Sequence, residues 1–452
     1  MRNIRILGFL FLVLSIPSGS VIAQSYSGDA RKIGMGGIGY SENITAEIIE
    51  NERQYSSIIA PLGLIQLLQD LDRFDPDDDH FDPILAMEYA SNPLHYIFDR
   101  DPGGPRGRFV DDLVNGTLDR DLNAYRGFVP TNNLLAEGLA NPNWGKTFKF
   151  KKNFNGSYQG IYAGAGPYIS AKTDLYIDKG LTDILSSESP VYLPNRNYLI
   201  TDKSVGQLAL AVTGGYRARF ALPGQRSEGK TTRNGIYFGI NYNYLFGFQY
   251  GDVDIDVRFD TDSAGLISLQ PETAPVVLDY YHSHSGRGFA FDFGVGTVIN
   301  DWEFGFGANG VGNRINWHNL TRKQFRLESL LDGGDYIEEP LPVTSGDSIV
   351  KLPVEYIGNV GYHRGKWAAL AEVSHGFQGA GFHGGIEYRL KYIEFRGGGR
   401  YGLNRWHPSG GLGFNLGEQF SVDIAAFGTT TNIERQLKPG IAISFRINKP
   451  SV

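Results

Sequence analysis

The stretch Gly286–Ile299, "GRGFAFDFGVGTVI", decides the fold. Its odd positions carry Arg287, Phe289, Phe291, Phe293, Val295, Thr297 and Ile299, and its even positions carry Gly288, Ala290, Asp292, Gly294, Gly296 and Val298. Successive side chains of a strand point to opposite faces, so this segment has one bulky apolar face and one small or polar face. It is longer than the ordinary strand of about 5–6 residues and suits one that crosses a bilayer at a tilt.

The same grammar recurs along the chain. Trp302, Phe304, Phe306 and Ala308 share a face. Phe382, Ile386, Tyr388 and Leu390 oppose His383, Glu387 and Arg389. Phe420, Val422, Ile424 and Ala426 oppose Ser421, Asp423 and Ala425; Ile441, Ile443, Phe445 and Ile447 oppose Ala442, Ser444 and Arg446. The second face carries Asp292, Glu387, Arg389, Glu394, Arg396 and Asp423. A soluble sandwich would bury an apolar face there instead. In lipid every backbone N–H and C=O must be paired, so such strands have to close on themselves, apolar outside and polar inside. The alternation predicts an all-β transmembrane antiparallel β-barrel over residues 151–452. It would have about 14 strands, within a range of about 12–16. Short turns such as "NLGEQ" and "HRGKW", against the long excursion 328–349, give the asymmetry of an outer-membrane barrel.

Composition agrees. Glycine is frequent, at 59 residues, and aromatics make up 13 %, as a wide sheet with interfacial aromatic girdles requires. The net charge of -7 excludes the concentrated basic face of a nucleic-acid binder. With Cys 0, neither disulfides nor thiolate metal sites can form.

The first residues explain how the chain reaches such a membrane. Arg2 and Arg5 precede an apolar core from Ile6 to Ile16, and Val21-Ile22-Ala23 precedes a cut after Ala23. Residues 1–23 therefore read as a secretory signal peptide, and the predicted destination is the outer membrane of a Gram-negative (diderm) bacterium. Residues 24–150 have a different, partly helical grammar. Asn43 can cap a helix, Pro61 can open one over Leu62–Leu71, and Leu134–Ala140 reads as a helical turn.

Several strings imitate chemistry. Gly34-x-Gly36-x-x-Gly39 matches a dinucleotide fingerprint, but no apolar strand precedes it. "ANPNWGKT", Ala140–Thr147, matches a relaxed phosphate loop, but "FKFKKNF" after it alternates as a strand rather than opening a helix. The acidic run from Asp70 to Asp82 lacks the calcium-loop pattern, since Pro76 breaks the spacing. His282 and His284 could share a metal from one strand face, yet sit more naturally at a strand end. No nucleophile elbow is present. The chain is expected to be no enzyme and to need no cofactor and no metal.

The string "DARKIGMGGIGYSEN", Asp29–Asn43, resembles the opening of the FadL-like outer-membrane superfamily. That superfamily spans long-chain fatty-acid transporters, PorV-like secretion components and conjugal-transfer TraF-like proteins. Ala30, Arg31, Gly34, Met35, Gly36 and Gly37 match its Ala-Arg-x-x-Gly-Met-Gly-Gly string. The family's following Asn-Pro turn arrives late, as Ser91-Asn92-Pro93-Leu94, as though residues 45 to 88 were inserted. The resemblance implies a barrel whose N-terminal region, within 24–150, plugs or lines the lumen. The expected site residues are the plug residues Gly34, Met35, Gly36 and Gly37, with Glu387, Arg389, Glu394 and Arg396 on facing lumen positions. Opposite charges there can pair across a hairpin.

The expected function is passive transport of a hydrophobic or small amphipathic compound through a plugged lumen. The partners would be outer-membrane lipid and a hydrophobic ligand, with no nucleic acid. The alternative is a non-transporting, PorV-like component of a secretion or assembly system that docks partner proteins through the acidic insertion 45–140.

Overall fold

The computed structural model describes residues 29–37, 55–60, 62–69, 95–98, 104–118, 122–140, 144–152, 156–188, 190–222, 234–268, 275–327, 329–330, 337–339, 346–376, 379–402, 405–417, 419–430, 434 and 436–448. The segment 1–23, the cap at Asn43, the acidic run 70–82 and the turn 91–94 lie outside them.

Four α-helices occur among the described residues, α1 (Ala30–Gly34), α2 (Leu62–Gln69), α3 (Pro105–Asn115) and α4 (Lys179–Leu185), with one 3-10 turn at Leu122–Tyr125. None is long and apolar enough to cross a membrane. The strands are β1 (Tyr55–Ile59), β2 (Tyr96–Ile97), β3 (Asn133–Ala140), β4 (Trp144–Lys152), β5 (Tyr158–Ile177), β6 (Asn197–Ala221), β7 (Gly235–Thr261), β8 (Ile267–Ser268), β9 (Val276–Ser283) and β10 (Ser285–Ile299). They continue with β11 (Trp302–Leu327), β12 (Ile337–Glu339), β13 (Gly346–Val350), β14 (Glu355–Arg364), β15 (Trp367–Gly376), β16 (Gly379–Arg389), β17 (Ile393–Gly402), β18 (Arg405–Leu416), β19 (Phe420–Thr429) and β20 (Lys438–Asn448).

All ladders are antiparallel. β3 and β4 lie end to end along β5, β9 and β10 along β7, β13 and β14 along β11, and β1 and β2 along β20. With each such pair taken as one interrupted strand, the wall has fourteen spans, from β3–β4 through β20 to β1–β2. Two expectations need correction. Leu134–Ala140 is not a helical turn but strand β3, paired residue for residue with β5. A short apolar run fits either period, and the open edge of β5 decides it. The wall therefore starts at Asn133, ahead of the boundary placed at 151, and the N-terminal region also supplies β1 and β2.

Alternation sorts the faces as the physics of lipid demands. In β10, Phe293, Val295 and Ile299 are exposed, while Ala290, Asp292 and Val298 are buried. Trp302, Phe304 and Phe306 of β11 continue the exposed apolar face. Trp302 packs on Tyr362 and Trp367 on Tyr388, with centroids 4.8 and 4.5 Å apart, beside the short turns from β10 to β11, β14 to β15 and β16 to β17. Such aromatics belong at a membrane–water boundary. This is the architecture of a transmembrane β-barrel.

The spans are unequal. β14 to β17, β19 and β20 have 10 or 11 residues, whereas β6, β7 and β11 have 25, 27 and 26. A crossing needs only about 9–11 residues, so the long strands rise beyond the apolar band. There the faces exchange roles. In β6 the exposed residues Leu210, Val212 and Phe220 share a parity with buried Tyr198, Ile200 and Asp202. The upper part of the lipid-side face is covered, because Phe109, Val110, Leu118, Leu122, Tyr125 and Phe128 form one apolar cluster with Tyr198, Ile200, Val257 and Phe259. Part of the N-terminal region thus packs outside the extended wall rather than inside it.

Candidate functional site

Residues 29–37 form a short wedge against the inner faces of β15 to β20. Asp29 caps α1 by accepting from the Arg31 amide at 2.8 Å, and it accepts from Ser444 Oγ of β20 at 3.1 Å. Ser444 Oγ also accepts from the Ala30 amide at 3.2 Å. Ala30 and Ile33 pack with Ile97, Ala425, Phe427 and Ala442.

The glycine string that follows sits where a side chain would not. A Cβ on Gly34 would come within 3.1 Å of Gly411 Cα. Met35 is buried with Leu370, and its backbone lies so close to β16 and β17 that a Cβ on Gly385 or Gly398 would strike it. Gly36 and Gly37 both have φ +83, a conformation that favours glycine. The Gly36 amide donates to Ser409 Oγ at 2.9 Å, and its carbonyl accepts from His383 Nδ1 at 2.9 Å. Gly34, Met35, Gly36 and Gly37 thus all meet the inner wall directly.

Below the wedge lies an ionic network. Glu387 pairs across the hairpin with Arg396, and Arg389 with Glu394. Arg31 reaches down from α1 to Glu387, with Nε at 2.8 Å from Oε2 and Nη2 at 3.0 Å from Oε1. Arg396 Nε binds the same Oε2 at 2.8 Å, and its Nη1 binds Asp423 Oδ1 at 2.7 Å. Arg446 Nη2 closes on Glu394 Oε2 at 2.7 Å. Arg389 also contacts Glu387, and Arg396 contacts Glu394. The Arg396, Glu387 and Asp423 side chains are fully buried. Charges so placed are tolerable only because each has opposite partners and directed hydrogen bonds.

The four expected wall residues, Glu387, Arg389, Glu394 and Arg396, therefore lie in one network with Arg31 of the wedge. Asp423 and Arg446 join them. Their inward parity was visible in the sequence, although the ion pairs that join β17 to β19 and β20 were not. Ser444 was visible only by its inward parity and Arg31 only as part of the superfamily string; that they and Asp29 and Ser409 meet across wedge and wall had no signal, since nothing in the sequence brings positions so far apart together. Elsewhere on the inner wall, Arg217 donates to Asn241 Oδ1 at 2.7 Å and covers the Tyr162 ring at 4.3 Å, and Asp292 accepts from Asn243 at 2.7 Å. His282 and His284 have ring centroids 5.7 Å apart, at the junction of β9 and β10. Among the described residues no three metal-ligating side chains gather. Trp144–Lys152 is a strand, so the Lys146 string opens no helix.

Comparison with solved structures finds distant likenesses among outer-membrane proteins. The structure is similar to the Ralstonia pickettii toluene transporter TbuX, with 12 % identity, 70 % of this chain and 86 % of that chain covered, and a TM-score of 0.34. It is similar to the Pseudomonas putida toluene transporter TodX, at 9 % identity, 70 % and 88 % coverage and a TM-score of 0.31. It is also similar to outer membrane phospholipase A from Escherichia coli, at 10 % identity, 58 % and 99 % coverage and a TM-score of 0.23. Transporters and an enzyme share this likeness, so it does not reach to function. No family model and no curated protein matches the chain.

Proposed function

We propose that the chain is a channel in the outer membrane of a diderm bacterium, that it passes a hydrophobic or small amphipathic compound, and that Asp29–Gly37 is its plug. No covalent chemistry is involved. The observation that carries this reading is the wedge itself: a short N-terminal segment fixed to the inner wall by the buried Arg31–Glu387 pair. A segment held by a few side-chain contacts can shift and alter access, whereas wall strands joined by full backbone ladders cannot. The apolar outer face and the buried charges of the inner face supply the setting.

The test is uptake of a hydrophobic dye by cells whose lipopolysaccharide leaflet excludes it. Cells producing the protein take up dye faster than cells without it, and Arg31→Ala changes that rate. Equal uptake in all three would sink the channel reading. The chain would then fit the non-transporting role of a barrel that carries secretion or assembly partners.

A further inference from the structure

Three cations stand together on the outer face of the wall. Arg287 lies on β10 at the parity of exposed Phe293, Val295 and Ile299, and β10 keeps an unbroken register with β7. Arg314 of β11 stands directly opposite Phe289, and Asn316 opposite Arg287, so both face outward too. Lys351 follows the end of β13. Val350 and Leu352 pack with Ala290 and Trp317 on the inner face, while Ile349 is exposed, so Lys351 points outward. Asn313 fixes this segment to β11: its Nδ2 donates to Leu352 O at 2.9 Å, and its Oδ1 accepts from the Leu352 amide at 2.7 Å. All three cationic residues are exposed.

Arg287 and Arg314 are diagonal neighbours across β10 and β11, roughly 7–8 Å apart at their Cα atoms. The pairing Ile315↔Val350 places Arg314 beside Lys351. Like charges so placed repel. Among the described residues none of the three is paired with a carboxylate. Further along β11 the cations are compensated: Arg322 by Asp279, Lys323 by Glu338 and Arg326 by Glu339. Asp347, also on β13, is held by His318 at 3.1 Å. Arg314 rests instead on the Phe289 ring, with Cζ 4.8 Å from the centroid, a contact that leaves its N–H edge able to bind an anion.

The strands set the height of this patch. A strand tilted by about 45° climbs roughly 2.3 Å per residue, so the length from Ile299, at the short turn, to Arg287 rises roughly 28 Å. The apolar band of such a barrel is about 25 Å tall. Arg287 and Arg314 therefore sit where that band ends on the side of the long strands, which is the outer leaflet. Phe246, opposite Arg287 on β7, and Phe293 continue the exposed apolar face below them.

We propose that Arg287, Arg314 and Lys351 bind a phosphate group of outer-leaflet lipopolysaccharide, whose acyl chains lie against Phe246 and Phe293. One phosphate accepts hydrogen bonds from two guanidinium groups and an ammonium at once, and its charge removes their repulsion. The site rests on the place of the barrel in the outer membrane and not on what the lumen passes.

The test is binding of lipid A, the phosphorylated anchor of lipopolysaccharide, to detergent-purified and delipidated protein, read by native mass spectrometry. The unaltered protein binds lipid A. The triple variant Arg287→Gln, Arg314→Gln, Lys351→Gln binds it about a hundredfold more weakly and keeps its heat-modifiable gel mobility. Lys351→Gln alone weakens binding about fivefold, and decides the matter should the triple variant lose that mobility. Lys323→Gln, which removes a cation already paired, leaves binding unchanged. Lipid A stripped of its phosphates binds the unaltered protein as weakly as intact lipid A binds the triple variant. Equal binding of intact lipid A by the unaltered protein and the variants would overturn the proposal, as would undiminished binding of the stripped lipid. Displacement of lipid A by millimolar inorganic phosphate would overturn it in favour of a free-anion site. Phosphatidylglycerol bound as tightly as lipid A would overturn it in favour of a general attraction to anionic headgroups.

Discussion

Arg31 and Glu387 stand 356 positions apart in the chain, yet their side chains form a buried two-point pair at 2.8 and 3.0 Å. Glu387 is at the same time bound by Arg396 of the next strand. One carboxylate thus joins the N-terminal wedge to the wall, and the consequences of breaking it depend on which partner is removed.

Removing one member of a buried pair leaves the other charged and unmatched, at a typical cost of about 3–5 kcal/mol. Glu387→Ala orphans several arginines and lowers the unfolding midpoint of the barrel strongly. Arg31→Ala costs less, because Arg396 and Arg389 still neutralise Glu387. A double-mutant cycle read by urea unfolding of the detergent-solubilised protein checks the order; equal losses from the two single variants would contradict it.

Gly36→Ala unseats the wedge. Its φ of +83 strains any side chain, and a Cβ would lie 2.6 Å from Gly399 O and 2.7 Å from Gly384 O. At Gly37 the φ is the same, but the nearest obstacle is His383 Nδ1 at 3.2 Å, a side chain that can move. Strain of this kind costs about 1–3 kcal/mol. Limited proteolysis of the N-terminal segment should speed up more for Gly36→Ala than for Gly37→Ala, with barrel mobility on gels unchanged in both.

The outward face of β11 is expected to reject charge. Phe306 is 55 % exposed within the apolar band, and arginine at the middle of a lipid-facing strand costs about 2–4 kcal/mol. Phe306→Arg should lower stability in lipid vesicles by that order, and Phe306→Leu should leave it nearly unchanged.

Asp202 gives the extended wall a pH dependence. It lies on β6 beyond the exposed residues Leu210, Val212 and Phe220, on the same face as buried Tyr198 and Ile200. Burial pushes its carboxyl up to about 6; the Ser204 hydroxyl opposes this, and nearby Asp174 and Asp254 add to it. The folded state therefore holds a proton that the unfolded state has already released. That contribution is full at pH values below the unfolded carboxyl's range and is lost as pH rises to about 6. Its size is about 3 kcal/mol at most. Asp202→Asn should flatten the fall in stability between pH 4 and pH 7; an unchanged slope would show that Asp202 does not cause it.

Much of this was legible in the residues. The period of two in Gly286–Ile299 fixed which side chains face lipid, because a strand has only two faces and lipid accepts only one kind. The same parity placed Glu387, Arg389, Glu394 and Arg396 inward, since neighbours on one hairpin are close in sequence as well as in space. Leu134–Ala140 misled because an apolar run of that length satisfies both periods until a partner strand is present. The N-terminal cover over Tyr198 and Phe259 was invisible, because their side of β6 and β7 looks alike whether lipid or protein lies against it.

The sequence by itself determined the alternation, the absence of thiol chemistry and the glycines of residues 34–37, all of which follow from local geometry and side-chain chemistry. Only the tertiary structure decided that Arg31 meets Glu387, that β1 and β2 both lie along β20, and that Gln66 bonds the Ile97 backbone. Those are contacts between distant positions. Closing a sheet brings them together through register and curvature, which no short window of residues contains.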